Sequence, residues 1–280
     1  MILVTGFNGK VGYEVAGKLM QKKIPVKCAV RNADKARSRY GNEFEFVPLD
    51  FTKPATFEKA LDRVEGIFLM YPPGDHIHFE SFIQKAKEKG VKHVVYLSLK
   101  DVQFMPFIHH YKNEKLIKKH GLNFTFLRAG YFMQNLSDFL HRELKERKRI
   151  FVPAGKGKTS FVDTRDIAEV AAVSLSEGKK HGNKIYAITG DEALNFYEVA
   201  SIMSEVLNVK VEYTNPTIKE FKQYMISAGG DEEFIKVVAG IHIPTKLGLA
   251  KGIRTDFERV TGRKPTRIRQ YIEDYKENWL

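Results

Sequence analysis

The chain has 280 residues, 43% of them hydrophobic, which is enough to bury a large core as one domain or as a main domain with a lobe. One cysteine, Cys28, excludes a disulfide framework and a cysteine-based metal site, and lies in a segment where it reads as a small buried apolar residue. The formal net charge of +12 is spread over helical stretches (KAKEKGVK, KNEKLIKKH, HRELKERKR) and mixed with acids, so it marks solvated helix faces and no nucleic-acid groove. No leader pattern and no bilayer-length apolar run appear, so a cytoplasmic protein with no membrane segment is expected.

The first element carries the most information. Residues 1–12, MILVTGFNGKVG, predict a buried strand, a glycine turn and a helix N-terminus in immediate succession. Backbone N–H groups and the positive end of the helix then point at one spot, which suits a pyrophosphate. Gly6 permits the turn, Gly9 lets the ligand approach the backbone, and Gly12 lets helix and strand pack closely. The expected cofactor contacts here are Gly6, Phe7, Asn8, Gly9, Lys10, Val11 and Gly12. The spacing Gly-x-x-Gly-x-x-Gly is one residue longer than the dehydrogenase fingerprint.

The second strand, Ile24–Val30, ends at Arg31. A carboxylate at this point would accept the ribose hydroxyls of NAD; a guanidinium suits a 2′-phosphate instead, and Lys35 and Arg37 add positive charge. NADP(H) is therefore expected in preference to NAD(H). A strand Phe44–Leu49 follows and runs into Asp50 and Phe51, then a helix over 54–63. Strand Gly66–Met70 ends in Tyr71, Pro72 and Pro73; helix 79–89 leads to strand Val91–Ser98. Helix 109–120 precedes strand Phe124–Arg128, which ends beside Gly130 and Tyr131.

Alternating strands and amphipathic helices predict an α/β fold, a Rossmann-type doubly wound parallel sheet with a smaller C-terminal α/β lobe. Ligands in such sheets lie beyond the carboxyl ends of the strands, and Arg31, Asp50, Phe51, Tyr71, Pro72, Pro73, Ser98, Gly130 and Tyr131 all fall at that edge. The dinucleotide domain is expected over 1–150, with its sheet completed by segments of 151–190, and a mainly helical substrate lobe over 191–280. In that lobe GDEALNFYEVASIMSEVL reads as a capped helix, VKVEY as a strand, and 217–227 and 231–239 as helices walling a substrate cleft. A last amphipathic helix is expected to hold Trp279.

The segments GVKHVVYLS, GLNFTFLRAGYFMQN, IFVPAGKGKTSFVDTRDIAEVAA and TGRKPTRIRQYIEDY resemble the NmrA-like family of atypical short-chain dehydrogenases/reductases over nearly the whole chain. Within that family the chain most resembles the members called NAD(P)H:quinone oxidoreductase type 2. The resemblance implies a Rossmann domain with a smaller lobe. It also implies either a reductase or a non-catalytic sensor of the NADP(H) ratio that acts through a protein partner. The wider superfamily uses a Tyr-x-x-x-Lys pair, and Tyr111 to Lys115 has that spacing. Alignment on the helix glutamate Glu114 and on Gly121 places the family's working lysine at His110 and its tyrosine at Pro106, so the Tyr111/Lys115 spacing reads as coincidence.

His110 resembles the histidine of the quinone-reductase-type members. It is the expected catalytic helper, either bonding the nicotinamide ribose or passing a proton to a quinone oxygen. Ser98 stands where the superfamily keeps a hydroxyl that steadies a substrate carbonyl and binds cofactor. His76, His78 and His109 lack a partner set for a metal, and none is expected. Phe104, Phe107, Phe132 and Met133, with Tyr71 and Tyr131, form an expected aromatic-rich rim for a flat apolar substrate. Asp163 and Asp166 read as structural acids at a helix start.

The first functional expectation is an NADPH-dependent reductase of quinones or similar flat electrophiles. The alternatives are the NADP(H) sensor and, more distantly, an epimerase or dehydratase of sugar nucleotides, which the missing Tyr/Lys pair disfavours. A monomer or a homodimer fits either of the first two.

Overall fold

The computed structural model describes residues 1–280, and the chain divides into two compact units. The first comprises Met1–Ala129, Thr164–Ile188 and Asp256–Arg263; the second comprises Gly130–Asp163, Thr189–Thr255 and Lys264–Leu280. Residues 130–150, placed with the dinucleotide domain on sequence grounds, thus cluster with the second unit.

The chain order is β1 (Ile2–Val4), α1 (Lys10–Gln21), β2 (Val26–Val30), α2 (Ala33–Tyr40), β3 (Glu45–Pro48), α3 (Phe57–Ala60), β4 (Gly66–Leu69), α4 (Phe79–Glu88), β5 (His93–Leu99), α5 (His109–Lys119) and β6 (Phe124–Ala129). There follow β7 (Tyr131–Phe132), α6 (His141–Arg147), β8 (Arg149–Ile150), β9 (Phe161–Val162), α7 (Thr164–Ser176), α8 (Gly178–His181) and β10 (Lys184–Ile188). The remainder is α9 (Phe196–Leu207), β11 (Glu212–Tyr213), α10 (Ile218–Ser227), α11 (Glu232–Lys246), α12 (Asp256–Thr261) and α13 (Ile268–Asp274).

Seven parallel strands form the sheet of the first unit, in the spatial order β3-β2-β1-β4-β5-β6-β10. The order reverses between β1 and β4, which is the switch point where Rossmann sheets open a crevice at their carboxyl edge. Strand periodicity sorts the core. Leu3, Ile67, Leu69, Val94, Tyr96 and Phe126 face one way and pack with Phe57, Phe82, Ile83 and Ile117 of α3, α4 and α5. The other face is covered by α1 and α7. Cys28 is buried in β2, and burial pushes its thiol up to about 12, so it serves as a small apolar residue.

The second unit has its own core, in which Met133, Leu136, Phe161, Phe196, Met203, Tyr271 and Trp279 are fully buried. Its helix α9 starts with a capping box, Asn195 and Glu198 each bonding the other's backbone N–H, and α10 starts with the same device from Thr217 and Glu220. The strand expected over VKVEY shrinks to Glu212–Tyr213, paired with β8, and the helix expected to end near residue 239 continues to Lys246 through Pro244. Trp279 lies beyond α13 and a 3₁₀ turn, with its indole N–H directed at the Leu136 carbonyl. No helix is long and apolar enough to cross a membrane.

A buried polar chain sits at the start of β5. Thr125 Oγ1 donates to the His181 carbonyl (2.6 Å), so it accepts from His93 Nε2 (2.9 Å), leaving His93 Nδ1 buried without a partner. Protonation would put a charged donor where no acceptor stands, and burial, with the neighbouring His181, lowers the His93 pKa from 6.5 to about 4. The fold holds the neutral ring, so its contribution is complete above the unfolded pKa and is lost as pH falls from 6.5 towards 4. The expected loss is about 3 kcal/mol across that window, and His93→Gln flattens this component in chemical denaturation measured at stepped pH.

Candidate active site

The glycine loop is built for close backbone approach. Gly6 adopts φ +66°, a conformation strained for other residues, and a Cβ there would meet the Met70 sulfur at 2.7 Å. A Cβ on Gly12 would stand 2.3 Å from the Gly6 carbonyl oxygen, so only glycine lets α1 begin this close to β1. Thr5 closes the base of the turn, its hydroxyl accepting from the Met70 N–H at 2.8 Å and joining the ends of β1 and β4. Gly9 caps α1 with no side-chain bond, and Gly6, Asn8, Gly9 and Lys10 are exposed. The result is a glycine-lined cradle at a helix N-terminus, which fits a pyrophosphate.

Phe7 and Val11 do not face that cradle. Phe7 is fully buried among Tyr13, Tyr40, Phe44 and Phe46, with ring centroids 4.8–5.6 Å away, so only its backbone remains for a ligand. Val11 is likewise in the core. Phe51 packs with Phe57, Phe79 and Phe82 and is also a core residue. In each case the apolar ring or branch is drawn to the sheet face by burial, while the neighbouring polar or glycine residue stays at the edge.

At the end of β2, Arg31 is exposed and takes part in no ion pair, whereas Arg37 is committed to Asp34 at 2.7 Å. The extra positive charge expected from Arg37 is therefore largely offset. Asp50 accepts from the backbone N–H and hydroxyl of Thr52 (2.9 and 2.8 Å), which, with the charges of Lys53 and Arg31, holds its carboxyl below the usual range. Tyr71 is half-buried, and its ring stacks on His109 with centroids 4.9 Å apart. Pro72 is half-buried and Pro73 exposed beside it.

Between β5 and α5 the polar groups are densely connected. The buried Glu114 carboxylate receives Arg128 in bidentate fashion, Nε to Oε1 at 3.0 Å and Nη2 to Oε2 at 2.7 Å. The third Arg128 nitrogen donates to Gln103 at 2.7 Å. Ser98 donates its only hydroxyl hydrogen to Glu114 at 2.7 Å and is fully buried. The role expected for Ser98 against a substrate carbonyl is thus replaced by support of Glu114.

His110 lies one helical turn before Glu114 on the same face of α5. Its Nδ1 is 2.9 Å from the Tyr96 hydroxyl, and Asn113 Nδ2 donates to that hydroxyl at 3.1 Å. Burial holds the His110 pKa below its ordinary value, although Glu114 and the Leu97 carbonyl oppose the shift, so the ring is neutral at pH 7. Tyr111 and Lys115 turn the other way; the ammonium sits 4.7 Å from the centre of the Tyr111 ring, on the outer side of the helix.

Tyr96 and Asn113 were not singled out from the sequence. Tyr96 sits in an apolar strand run and Asn113 in a polar helix, and neither pattern marks a site.

The loop between β5 and α5 raises Phe104 and Phe107 into solvent, 76% and 73% exposed. These two are the available members of the expected aromatic rim. Met133 is fully buried in the core of the second unit, which corrects its assignment to substrate. Tyr131, also in the second unit, is half-buried, and its hydroxyl lies 3.0 Å from His242 Nε2. His242 Nδ1 donates to the Val238 carbonyl (2.7 Å), so Nε2 is the acceptor and Tyr131 spends its hydrogen there. Gly130 and Phe132 flank it, both half-buried. Asp163 accepts from Gln134 (2.8 Å) and Asp166 from Arg263 (2.8 Å).

A parallel sheet with this strand order and a glycine cradle at its switch point defines a dinucleotide-binding Rossmann protein. The NmrA-like family model matches residues 1–272, and the chain belongs to that family. An NAD(P)H azoreductase from Xenophilus azovorans is 32% identical over 271 residues, covering 94% of this chain and 93% of the relative. The crystal structure of Citrobacter sp. triphenylmethane reductase complexed with NADP(H) superposes with a TM-score of 0.86 at 26% identity, covering 98% of this chain and 99% of that one. An NADPH-dependent quinone oxidoreductase from Escherichia coli, complexed with NADPH, gives 0.87 at 25% identity over 98% and 99% of the two chains.

Glu114 and Arg128 are expected to couple strongly to each other. Removing either charge leaves a desolvated partner and costs about 3 kcal/mol in equilibrium unfolding. The double variant Glu114→Gln/Arg128→Met should cost clearly less than the sum of the single changes. Additive losses would show that the two groups act separately.

Proposed function

We propose that this protein is an NADPH-dependent oxidoreductase that delivers hydride to a quinone or a similar flat electrophile. The observation that carries the reading is the exposed Arg31 guanidinium, in no ion pair, at the end of β2, on the same sheet edge as the glycine-lined cradle. The family membership and the NAD(P)H named for the azoreductase, the triphenylmethane reductase and the quinone oxidoreductase support it.

The bound cofactor supplies the hydride from its nicotinamide ring. The protein's own residues do the rest. Loop N–H groups of residues 6–12 receive the pyrophosphate, and Arg31, with the exposed Lys35, receives the 2′-phosphate. His110 offers a ring N–H to an oxygen of the ribose or of the acceptor while staying neutral. Phe104 and Phe107 provide flat apolar surface for a planar acceptor. An acceptor that spreads incoming charge over a conjugated ring needs no phenolate–lysine pair, which agrees with Tyr111 and Lys115 being engaged elsewhere.

Arg31→Ala should weaken NADPH binding by about 10- to 100-fold, the worth of charge-assisted bonds, and leave NADH within about two-fold. Equal losses in fluorescence titrations of the two cofactors would contradict the assignment. His110→Ala should lower quinone turnover by about ten-fold, one hydrogen bond's worth of barrier, with the NADPH Kd within about three-fold. Full activity in that variant would remove His110 from the reaction.

A further inference from the structure

The ring of His110 is held from one side by two residues that have no place in the hydride-transfer scheme above. Tyr96 is fully buried in β5 and Asn113 is buried in α5. Asn113 Nδ2 is a donor only, and at 3.1 Å it gives a hydrogen to the Tyr96 oxygen. Tyr96 makes no other polar contact, so its single hydrogen would be buried unpaired unless it were directed along the 2.9 Å contact to His110 Nδ1. A nitrogen that accepts cannot also carry the hydrogen of a neutral imidazole.

We propose that Tyr96 and Asn113 are positioning residues that fix neutral His110 with its hydrogen on Nε2, an inference that rests on the role given to His110 above. The chain of donors runs one way, from Asn113 to Tyr96 to His110, and leaves Nε2–H as the only donor the ring can present. His110 then acts as a fixed neutral donor and Nδ1 is closed to any ligand.

The surroundings agree. The other groups around the ring are Glu114, His109, the Leu97 carbonyl and Tyr71, whose ring meets His110 edge-on with centroids 6.3 Å apart. Of these the Leu97 carbonyl is an acceptor towards the ring, while the contact that Nδ1 makes at 2.9 Å is the one to the Tyr96 hydroxyl. Burial raises the Tyr96 phenol above its ordinary range, so it keeps the hydrogen it donates. His109, its neighbour in sequence, is exposed and stacks on Tyr71, and it lacks any such buried donor.

The test is ¹⁵N NMR of the full-length protein labelled at its histidine rings, at pH 7.5, with His110 assigned by loss of its signals in His110→Ala. The expected wild-type spectrum has a pyridine-like Nδ1 and a pyrrole-like Nε2 for His110. Tyr96→Phe should turn this into a mixed or Nδ1–H pattern and lower quinone turnover several-fold with the NADPH Kd unchanged. Asn113→Asp reverses the chain: the carboxylate takes the Tyr96 hydrogen, the oxygen then accepts, and the ring hydrogen moves to Nδ1. It is a second readout should Tyr96→Phe not fold.

A pyrrole-like Nδ1 in the wild type, or a spectrum unchanged in both variants, overturns the inference. A tautomer that switches while turnover stays constant upholds the positioning by Tyr96 and overturns instead the part given to His110 in the reaction.

Discussion

The buried, bidentate pair between Glu114 and Arg128 is the contact on which the polar side of the site depends. Its energetics are unforgiving, because each charge has left water and is compensated only by the other and by the hydroxyl of Ser98 and the amide of Gln103. That cost brings geometric definition. One carboxylate joins the end of β5, the body of α5 and the end of β6, and through Gln103 it reaches the loop that carries Phe104 and Phe107. His110 sits one turn before Glu114 on the same helix, so fixing the rotation of α5 about its axis also fixes the histidine.

The helix α5 shows how one element can carry two readings on opposite faces. Tyr111 and Lys115 reproduce a familiar catalytic spacing, yet they pair with each other on the outer side. The inner face presents His110, Asn113 and Glu114, and its phenol comes from β5 as Tyr96. A phenol and a base therefore do meet beside the sheet edge, but the phenol is buried and the base is a neutral imidazole. Such a pair suits orientation of a donor better than abstraction of a proton.

Much of this was legible in the sequence because it depends on local signals. The glycine turn follows from backbone conformation and close approach at Gly6 and Gly12, and the alternating strands follow from burial on both faces of a parallel sheet. Arg31 could be placed because a strand end fixes its position within a residue. The residues misjudged are those whose neighbours come from far along the chain. Met133 and Phe51 are apolar residues near a sheet edge, and sequence cannot tell an apolar residue that lines a ligand from one that fills a core. Ser98 and Tyr96 took their roles from partners 16 and 14 residues away, across a strand–loop–helix connection that periodicity does not resolve. The two-residue strands β7, β8, β9 and β11 are set by tertiary pairing and leave no pattern of their own.

In the proposed reaction the cradle, Arg31 and the neutral His110 together serve turnover with NADPH. The most direct measurement is the oxidation of NADPH by the purified full-length protein against a panel of small quinones, with NADH run in parallel. Oxidation well above the uncatalysed rate is expected, faster with NADPH than with NADH at equal concentration. Tight NADPH binding with no oxidation by any acceptor in the panel would contradict it and leave a protein that reads the cofactor without using it.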